Sequence, residues 1–127
     1  MNAPAEAKQE VCVLDDDPSV LKSIQFLLAS EGFGVRPFSK AEEFLAHAGK
    51  NAVPVVVTDI WMDGVTGLEV LAQLCAISPR TKVIVITARE DVAARATAMA
   101  IGPVAFFVKP FDDEKFLSAV RDAFNKR

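Results

Sequence analysis

The chain has 127 residues, a mass of 13.7 kDa and a formal net charge of −3, with 51% hydrophobic and 24% charged residues. This length holds one domain and leaves no room for a second of ordinary size. The acidic balance, without a cluster of Lys and Arg on one predicted helix face, excludes direct nucleic-acid binding as the main function of this domain.

The sequence predicts a short polar tail over residues 1–9 and a single domain over residues 10–127. The tail has no cationic segment followed by an apolar one, and no apolar run approaches the ~20 residues of a membrane span. We therefore expect a cytoplasmic protein. Cys12 and Cys75 form no CxxC pair and His47 is far from both in sequence, so we expect both cysteines to be small core residues.

Short apolar runs alternate with amphipathic helical patterns along the chain, which is typical of parallel strands buried on both faces. The strict alternation and short connections favour a doubly wound α/β sheet in which each strand is followed by a helix. The predicted strands cover residues 11–14, 34–38, 53–58, 82–87 and 105–108. The predicted helices begin at Pro18, after Ser39, after Thr66, at Asp91 and after Asp112.

Local signals mark several element ends. Ser39 with Glu42, and Thr66 with Glu69, have the spacing of a capping box. In this motif the side chain of each residue accepts a hydrogen bond from the backbone N–H of the other. Pro37 has no N–H for a ladder, which favours an edge position for the second strand.

Polar residues stand where four of the apolar runs end: Asp15–Asp17, Asp59, Thr87 and Lys109. Ligands of open parallel sheets bind outside the carboxyl ends of the strands, at the topological switch point, so these side chains are predicted to share one pocket. Crowded carboxylates repel one another, and a hard divalent cation relieves that repulsion. The sequence therefore predicts a Mg²⁺ site with phosphoryl chemistry.

Asp16 and Asp59 suit direct coordination of Mg²⁺, with Asp15 acting directly or through water. A backbone carbonyl of the loop after Asp59, assigned to Trp61, is expected to add another oxygen. An aspartate can also attack phosphorus and form an acyl phosphate. The Lys109 ammonium and the metal ion would neutralise the transferring group, and the Thr87 hydroxyl would donate to it.

With these motifs, VCVLDDDPSV, VVVTDIWMDGVTGLEVL, VIVIT and FFVKPF, the chain resembles the receiver domain of bacterial two-component response regulators. The resemblance covers about residues 10 to 124. Its details are similar to the subgroup whose longer members carry a C-terminal helix-turn-helix output domain. It implies a flavodoxin-like receiver fold, with five strands in the order 2-1-3-4-5 and five helices.

The resemblance also implies the role of each site residue. Asp59 is the expected phosphoacceptor for a histidine kinase or phosphotransfer protein. Asp15 and Asp16 are the expected acidic pair for Mg²⁺, which leaves Asp17 outside the coordination sphere. Thr87 is the expected switch hydroxyl.

On the fifth strand, the resemblance makes Lys109 the phosphate-binding lysine, with a cis bond to Pro110. It makes Phe106 the aromatic that reorients when Thr87 moves. The expected signalling face comprises the fourth helix, fifth strand and fifth helix. This face would control an output domain or partner protein and is a plausible surface for a homodimer.

The sequence departs from the family pattern in its loops. Asp63 stands where the family usually has Pro, and Pro103 where it commonly has a small residue. Trp61 and Arg89, each two residues beyond a site residue, are hypothesised to shield the acyl phosphate from water.

Three other functions remain open from sequence. Asp15-x-Asp17 at a strand end also resembles the motif of haloacid-dehalogenase phosphatases, although these usually have a longer core and a cap. A receiver fold can also recruit partners without phosphorylation. An FMN-binding domain is less favoured, because no Ser/Thr/Gly-rich phosphate loop follows the first strand. The favoured interpretation is a phosphoacceptor switch, not an enzyme acting on a separate substrate.

Overall fold

A computed structural model describes residues 9–62 and 66–125 of the chain. Over these residues it contains five strands and five helices in strict alternation. The strands are β1 (Glu10–Leu14), β2 (Gly34–Phe38), β3 (Val55–Asp59), β4 (Lys82–Thr87) and β5 (Ala105–Val108). The helices are α1 (Pro18–Ser30), α2 (Ala41–Lys50), α3 (Gly67–Ile77), α4 (Val92–Ile101) and α5 (Asp113–Asn125).

All strand pairs are parallel, and the sheet order is β2-β1-β3-β4-β5, which confirms the predicted fold. The chain runs from β1 outward to β2 and then returns to the other side of β1 as β3. The topological switch point therefore lies between β1 and β3. β2 is an edge strand, as Pro37 predicts.

Each face of the sheet is covered by helices. Alternate residues of β1, β3 and β4 point to opposite faces, and nearly all are buried, which explains why these strands read as continuous apolar runs. On one face α1 and α5 contribute Ile24, Leu28 and Phe116 to the core. On the other face α2 and α3 contribute residues such as Phe44 and Leu74.

Four of the predicted helix starts have side-chain caps, and at α5 the Asp112 Oδ1 accepts the Lys115 N–H at 3.0 Å. Asp17 accepts hydrogen bonds from two backbone N–H groups of α1, and Asp91 accepts one from Ala94. The Thr66–Glu69 capping box is present in both directions. These caps use N–H groups that have no partner within their own helix.

The capping box predicted for Ser39 and Glu42 is wrong. α2 begins at Ala41 with Lys40 as its N-cap residue, and no side chain caps it. Glu42 is therefore the second residue of the helix, whereas the reciprocal bond requires an acidic residue at the third.

The start of β3 and the position of Cys75 also differ from prediction. β3 begins at Val55, two residues later than expected, because Pro54 accepts a bond from Lys82 but has no N–H to donate to a ladder. Cys12 is buried as expected, but Cys75 is exposed. The buried stripe of α3 follows Val70, Leu71 and Leu74 and leaves Cys75 outside it.

The predicted N-terminal tail and Asp63 lie outside the described residues, apart from Gln9. None of the helices in the described part is long and apolar enough to cross a membrane.

Candidate functional site

The four predicted strand-end residues lie along one edge of the sheet. Asp15 follows β1 and Asp59 ends β3, so these two carboxylates flank the switch point. Thr87 ends β4, and Lys109 follows β5. The parallel register places Asp59 beside Ile86 and Thr87 beside Val108, which keeps the ends of these strands level.

Asp15 is a buried carboxyl group, with only 1% of its surface exposed. Its Oδ1 accepts a hydrogen bond of 2.9 Å from the Asp17 N–H. Its Oδ2 is buried and has no hydrogen-bond partner among the described residues, with the Lys109 Nζ at 3.8 Å. Burial raises the pKa of Asp15 to about 6; the Asp17 hydrogen bond opposes this and the Asp59 charge adds to it.

Asp59 is 8% exposed and also faces Lys109. Its Oδ1 accepts the Trp61 N–H at 3.0 Å, and its Oδ2 lies 3.9 Å from Lys109 Nζ. Burial raises the pKa of Asp59 as well, against the opposing effects of the Trp61 hydrogen bond and the Lys109 charge. Oδ2 is therefore the oxygen of Asp59 that faces the ammonium group.

The donor set fits a hard divalent cation. One ammonium group lies between two buried carboxylates at nearly 4 Å from each, and Asp15 Oδ2 lacks a hydrogen-bond donor within the described ranges. A cation that takes carboxylate oxygens would remove both the mutual repulsion and the orphaned acceptor. The adjacent Asp16 is exposed, which leaves its carboxylate at the solvent side of the pocket.

Asp17, by contrast, has another role in the structure. Its Oδ1 accepts the Ser19 N–H at 2.9 Å and caps α1. One oxygen of Asp17 is thus engaged as a helix cap, and its place outside the metal site stays a prediction. The assignment of Asp15, Asp16, Asp59 and the Trp61 carbonyl as ligands stays a prediction.

The Thr87 hydroxyl is buried in a local turn. Oγ1 accepts the Arg89 N–H and donates to the Arg89 carbonyl, both at 3.2 Å. Phe106 lies two strand positions before Val108, is partly buried, and has the Arg95 guanidinium 4.9 Å from its ring centroid. Thr87 is thus bound to the Arg89 backbone, and Phe106 lies against the Arg95 guanidinium.

Trp61 and Arg89 meet over the loops that border the site. The Arg89 guanidinium carbon lies 4.3 Å from the centroid of the Trp61 ring. Two contacts hold Trp61 in place. Its backbone N–H donates to Asp59 Oδ1, and its side chain packs against the core on the α2–α3 face of the sheet. The sequence singled out these two residues separately, and their contact is a finding of the structure.

Gly67 is a site residue that the sequence analysis missed. A Cβ atom at this position would lie 2.1 Å from the Asp59 carbonyl oxygen and 2.6 Å from the Ile60 Cα. The Gly67 N–H also donates to the Ile60 carbonyl at 2.9 Å. Only glycine lets the start of α3 approach the backbone of Asp59 and Ile60 so closely.

A groove opens beside the site between α1 and the loop after β5. Lys109, Pro110 and Phe111 line one side, and Phe26 of α1, whose surface is 79% exposed, lines the other. The bond between Lys109 and Pro110 is cis, as expected. Lys109 thus lies near the buried carboxylates of Asp15 and Asp59 and also lines the open groove.

The arrangement can support attack by a carboxylate on phosphorus. The Asp59 side chain is 11% exposed, so its Oδ2 could act as the nucleophile, with Lys109 Nζ 3.9 Å away to face the negative charge of the transferring group. Positioned cations of this kind are the main means of stabilising phosphoryl transfer.

A family model described as the response regulator receiver domain matches residues 11–121. The transcriptional regulatory protein FixJ of Azorhizobium caulinodans is 39% identical over 116 residues, which cover 91% of this chain and 55% of FixJ. The chain therefore spans about half the length of this relative.

Solved structures agree with the sequence match. The crystal structure of FixJ-N superposes with a TM-score of 0.86 at 35% identity, covering 100% of this chain and 98% of that one. The solution structure of the beryllofluoride-activated NtrC4 receiver domain dimer has a TM-score of 0.84 at 31% identity, covering 91% and 96%.

Proposed function

The chain belongs to the family of response regulator receiver domains, and from this premise we propose that it is a phosphoacceptor switch. In this proposal Asp59 accepts a phosphoryl group from a histidine kinase or phosphotransfer protein. The change in charge then alters the face formed by α4, β5 and α5. The domain acts on no separate substrate and catalyses only its own phosphorylation and dephosphorylation.

The observation that carries the proposal is the arrangement around Asp59. Its Oδ2 faces Lys109 at 3.9 Å, while its Oδ1 is held by the Trp61 N–H. One oxygen is thus oriented by the backbone and the other is left for chemistry. Attack by Oδ2 forms an O–P bond to aspartate and breaks the bond between phosphorus and the donor, whose leaving group keeps the electron pair.

Mg²⁺ is part of this proposal. Asp15, Asp16 and Asp59 would hold the ion together with the Trp61 carbonyl, and the ion would supply positive charge to the transferring phosphoryl oxygens. The orphaned Asp15 Oδ2 supports this assignment. Lys109 holds the phosphoryl oxygens from the β5 side.

The switch begins at Thr87. A phosphoryl group adds about −1.5 to −2 charges and several acceptor oxygens, so the Thr87 hydroxyl gains a stronger partner than the Arg89 backbone. Movement of Thr87 frees space that the Phe106 ring can enter, which would withdraw the ring from Arg95.

α4 is suited to respond to this movement. The described side chains of α4 include one buried residue, Ala98, whereas α3 and α5 each bury four. Elements with few buried apolar contacts open and shift at low cost. The exposed Val92 and Met99 belong to the same element, which gives the face apolar surface for a partner.

The remaining assignments follow from the same proposal. The kinase would approach over the open groove beside Lys109. An output domain or a partner protein would respond to the α4–β5–α5 face. A homodimer is supported by the dimeric NtrC4 receiver structure, and we assign it to the same face as part of the proposal. A cytoplasmic location belongs to the proposal as well.

The test is intact mass after incubation with acetyl phosphate and Mg²⁺. We expect one added phosphoryl group on the wild type and on Asp122→Asn, an exposed control on α5, and none on Asp59→Asn. No adduct on the wild type, under conditions that label another receiver domain, would favour recruitment without phosphorylation. An adduct that persists in Asp59→Asn would place the phosphoryl group on another residue.

A further inference from the structure

Three potential metal ligands meet at the far end of β1 from the phosphoacceptor pocket. Glu10 and Cys12 are two residues apart on the strand and therefore lie on the same face of the sheet. His47 reaches this face from α2. One ligand atom from each of the three residues lies within 4.8 Å of the other two.

We propose that Glu10, Cys12 and His47 form a second metal site, which binds a divalent transition metal ion such as Zn²⁺. Sulfur, imidazole nitrogen and carboxylate oxygen are the donors that Zn²⁺ takes in proteins. Three protein ligands leave the fourth tetrahedral position for water. The site is separate from the pocket at Asp59, which offers the oxygen donors that suit Mg²⁺.

The spacing of the donors is close to what coordination needs. Zinc bonds of about 2.0–2.3 Å in a tetrahedron place the donor atoms about 3.5 Å apart. The observed limit of 4.8 Å therefore requires a movement of roughly an ångström at most. Glu10 can supply this movement, because its side chain is 45% exposed and flexible.

Neighbouring groups hold two of the ligands in place. Arg36 Nε donates to Glu10 Oε1 at 3.0 Å, which leaves Oε2 for a metal ion. The Asn51 amide nitrogen lies 3.2 Å from His47 Nδ1, and the Phe38 ring packs against the imidazole at 5.4 Å between centroids. Contacts of this kind orient metal ligands and tune their basicity.

Cys12 is the most deeply buried of the three proposed ligands. It is 2% exposed, so the ion would enter past the partly exposed Glu10 and His47. Burial, followed by the Glu10 charge, raises the pKa of the Cys12 thiol to about 11, so the thiol is neutral without metal. Coordination forms the metal–sulfur bond and releases the thiol proton to solvent.

Binding would connect α2 to β1. α2 has no side-chain N-cap, and its neighbour β2 is an edge strand. A bond from His47 to a metal ion held by Cys12 would therefore tie α2, which has no side-chain N-cap, to the interior strand β1. Because the ion binds the folded site, the melting temperature should rise with its concentration.

The test is titration with Co²⁺ in excess Mg²⁺, which occupies the Asp59 pocket. A thiolate bound to Co²⁺ gives a near-ultraviolet charge-transfer band. We expect this band in the wild type, its displacement by Zn²⁺, and its retention in Cys75→Ser, which removes the exposed thiol. We expect its loss in Cys12→Ser, and Co²⁺ binding weakened about tenfold or more in His47→Gln and Glu10→Gln.

The absence of a thiolate band in the wild type would overturn the proposal, and so would a band that only Cys75→Ser removes. If Cys12→Ser does not fold, the proposal is tested with His47→Gln instead, because His47 is partly exposed. Unchanged Co²⁺ affinity and an unchanged Zn²⁺-dependent rise in its melting temperature would also overturn the site. Labelling of Asp59 plays no part in these readouts, so the metal site and the phosphoacceptor role can fail separately.

Discussion

Replacing Asp15 with asparagine should stabilise the metal-free protein at neutral pH. The wild-type carboxyl is 1% exposed and its pKa is about 6 in the folded protein, whereas an aspartate in an unfolded chain has a pKa of about 3.8. The folded state therefore binds the proton more tightly. Stability that is present near pH 4 is lost as the pH rises through about 6.

The pKa difference sets the size of the effect. A shift of about two units, at 1.36 kcal/mol per unit, makes the ionised Asp15 cost about 3 kcal/mol above pH 6. Asparagine keeps an oxygen for the Asp17 N–H and carries no charge. For 127 residues, an unfolding entropy of about 2.1 cal/mol/K per residue converts this gain to roughly 10 °C in Tm.

The assay is urea and thermal unfolding of wild type and Asp15→Asn between pH 4 and 8 in EDTA. We expect the two proteins to be similar near pH 4 and to diverge as the pH rises, with the variant more stable. Mg²⁺ should narrow the difference, because it relieves the repulsion in the wild type. Asp122→Asn, on the exposed side of α5, should follow the wild type within about 0.5 kcal/mol. A variant no more stable than wild type at pH 7.5, with a parallel pH profile, would refute the reasoning.

Three further predictions concern the neighbouring residues. Mg²⁺ should raise the melting temperature of the wild type more than that of Asp59→Asn, and equal shifts would contradict the metal site. Gly67→Ala should cost about 1–3 kcal/mol in urea unfolding, because its methyl group meets the Asp59 and Ile60 backbone; a neutral result would show that α3 can move away. Trp61→Ala and Arg89→Ala should each accelerate loss of the acyl phosphate, and the double variant should add little, since the two side chains act as one contact. An unchanged rate of acyl phosphate loss in both single variants would contradict the shielding role of Trp61 and Arg89.

The ends of the strands could be predicted from sequence because two independent signals agree there. At Asp15, Asp59, Thr87 and Lys109 an apolar run gives way to a polar residue, and parallel topology brings such ends to one edge. The grouping of these strand ends can therefore be predicted without knowledge of any tertiary contact. The Thr66–Glu69 capping box was predictable for the same reason, since its partners are three residues apart.

Where a local motif competes with its surroundings, sequence alone misplaces it. Ser39 and Glu42 have the spacing of a capping box, yet α2 begins one residue later than this box requires. Glu42 is therefore the second residue of the helix and not the third. Contacts that depend on tertiary packing were also beyond reach. Cys12 and His47 are 35 residues apart, and only the packing of α2 on the sheet brings them together.

The same limit applies to the loops around Asp59. Trp61 and Arg89 were each expected near the site, but their stacking depends on side-chain rotamers that no periodicity encodes. Gly67 shows another form of this limit. The sequence marks it as the residue after a helix cap, and only the path of the Asp59 backbone reveals why a side chain has no room.

The central claim, that Asp59 is the residue that carries the phosphoryl group, is tested most directly by chemical trapping. Borohydride reduces an aspartyl phosphate to homoserine, and peptide mass spectrometry then locates the converted residue. After incubation with acetyl phosphate and Mg²⁺, we expect homoserine at position 59 and unchanged aspartate at positions 15, 16 and 17. Homoserine at position 15 or 16, with aspartate retained at 59, would contradict it.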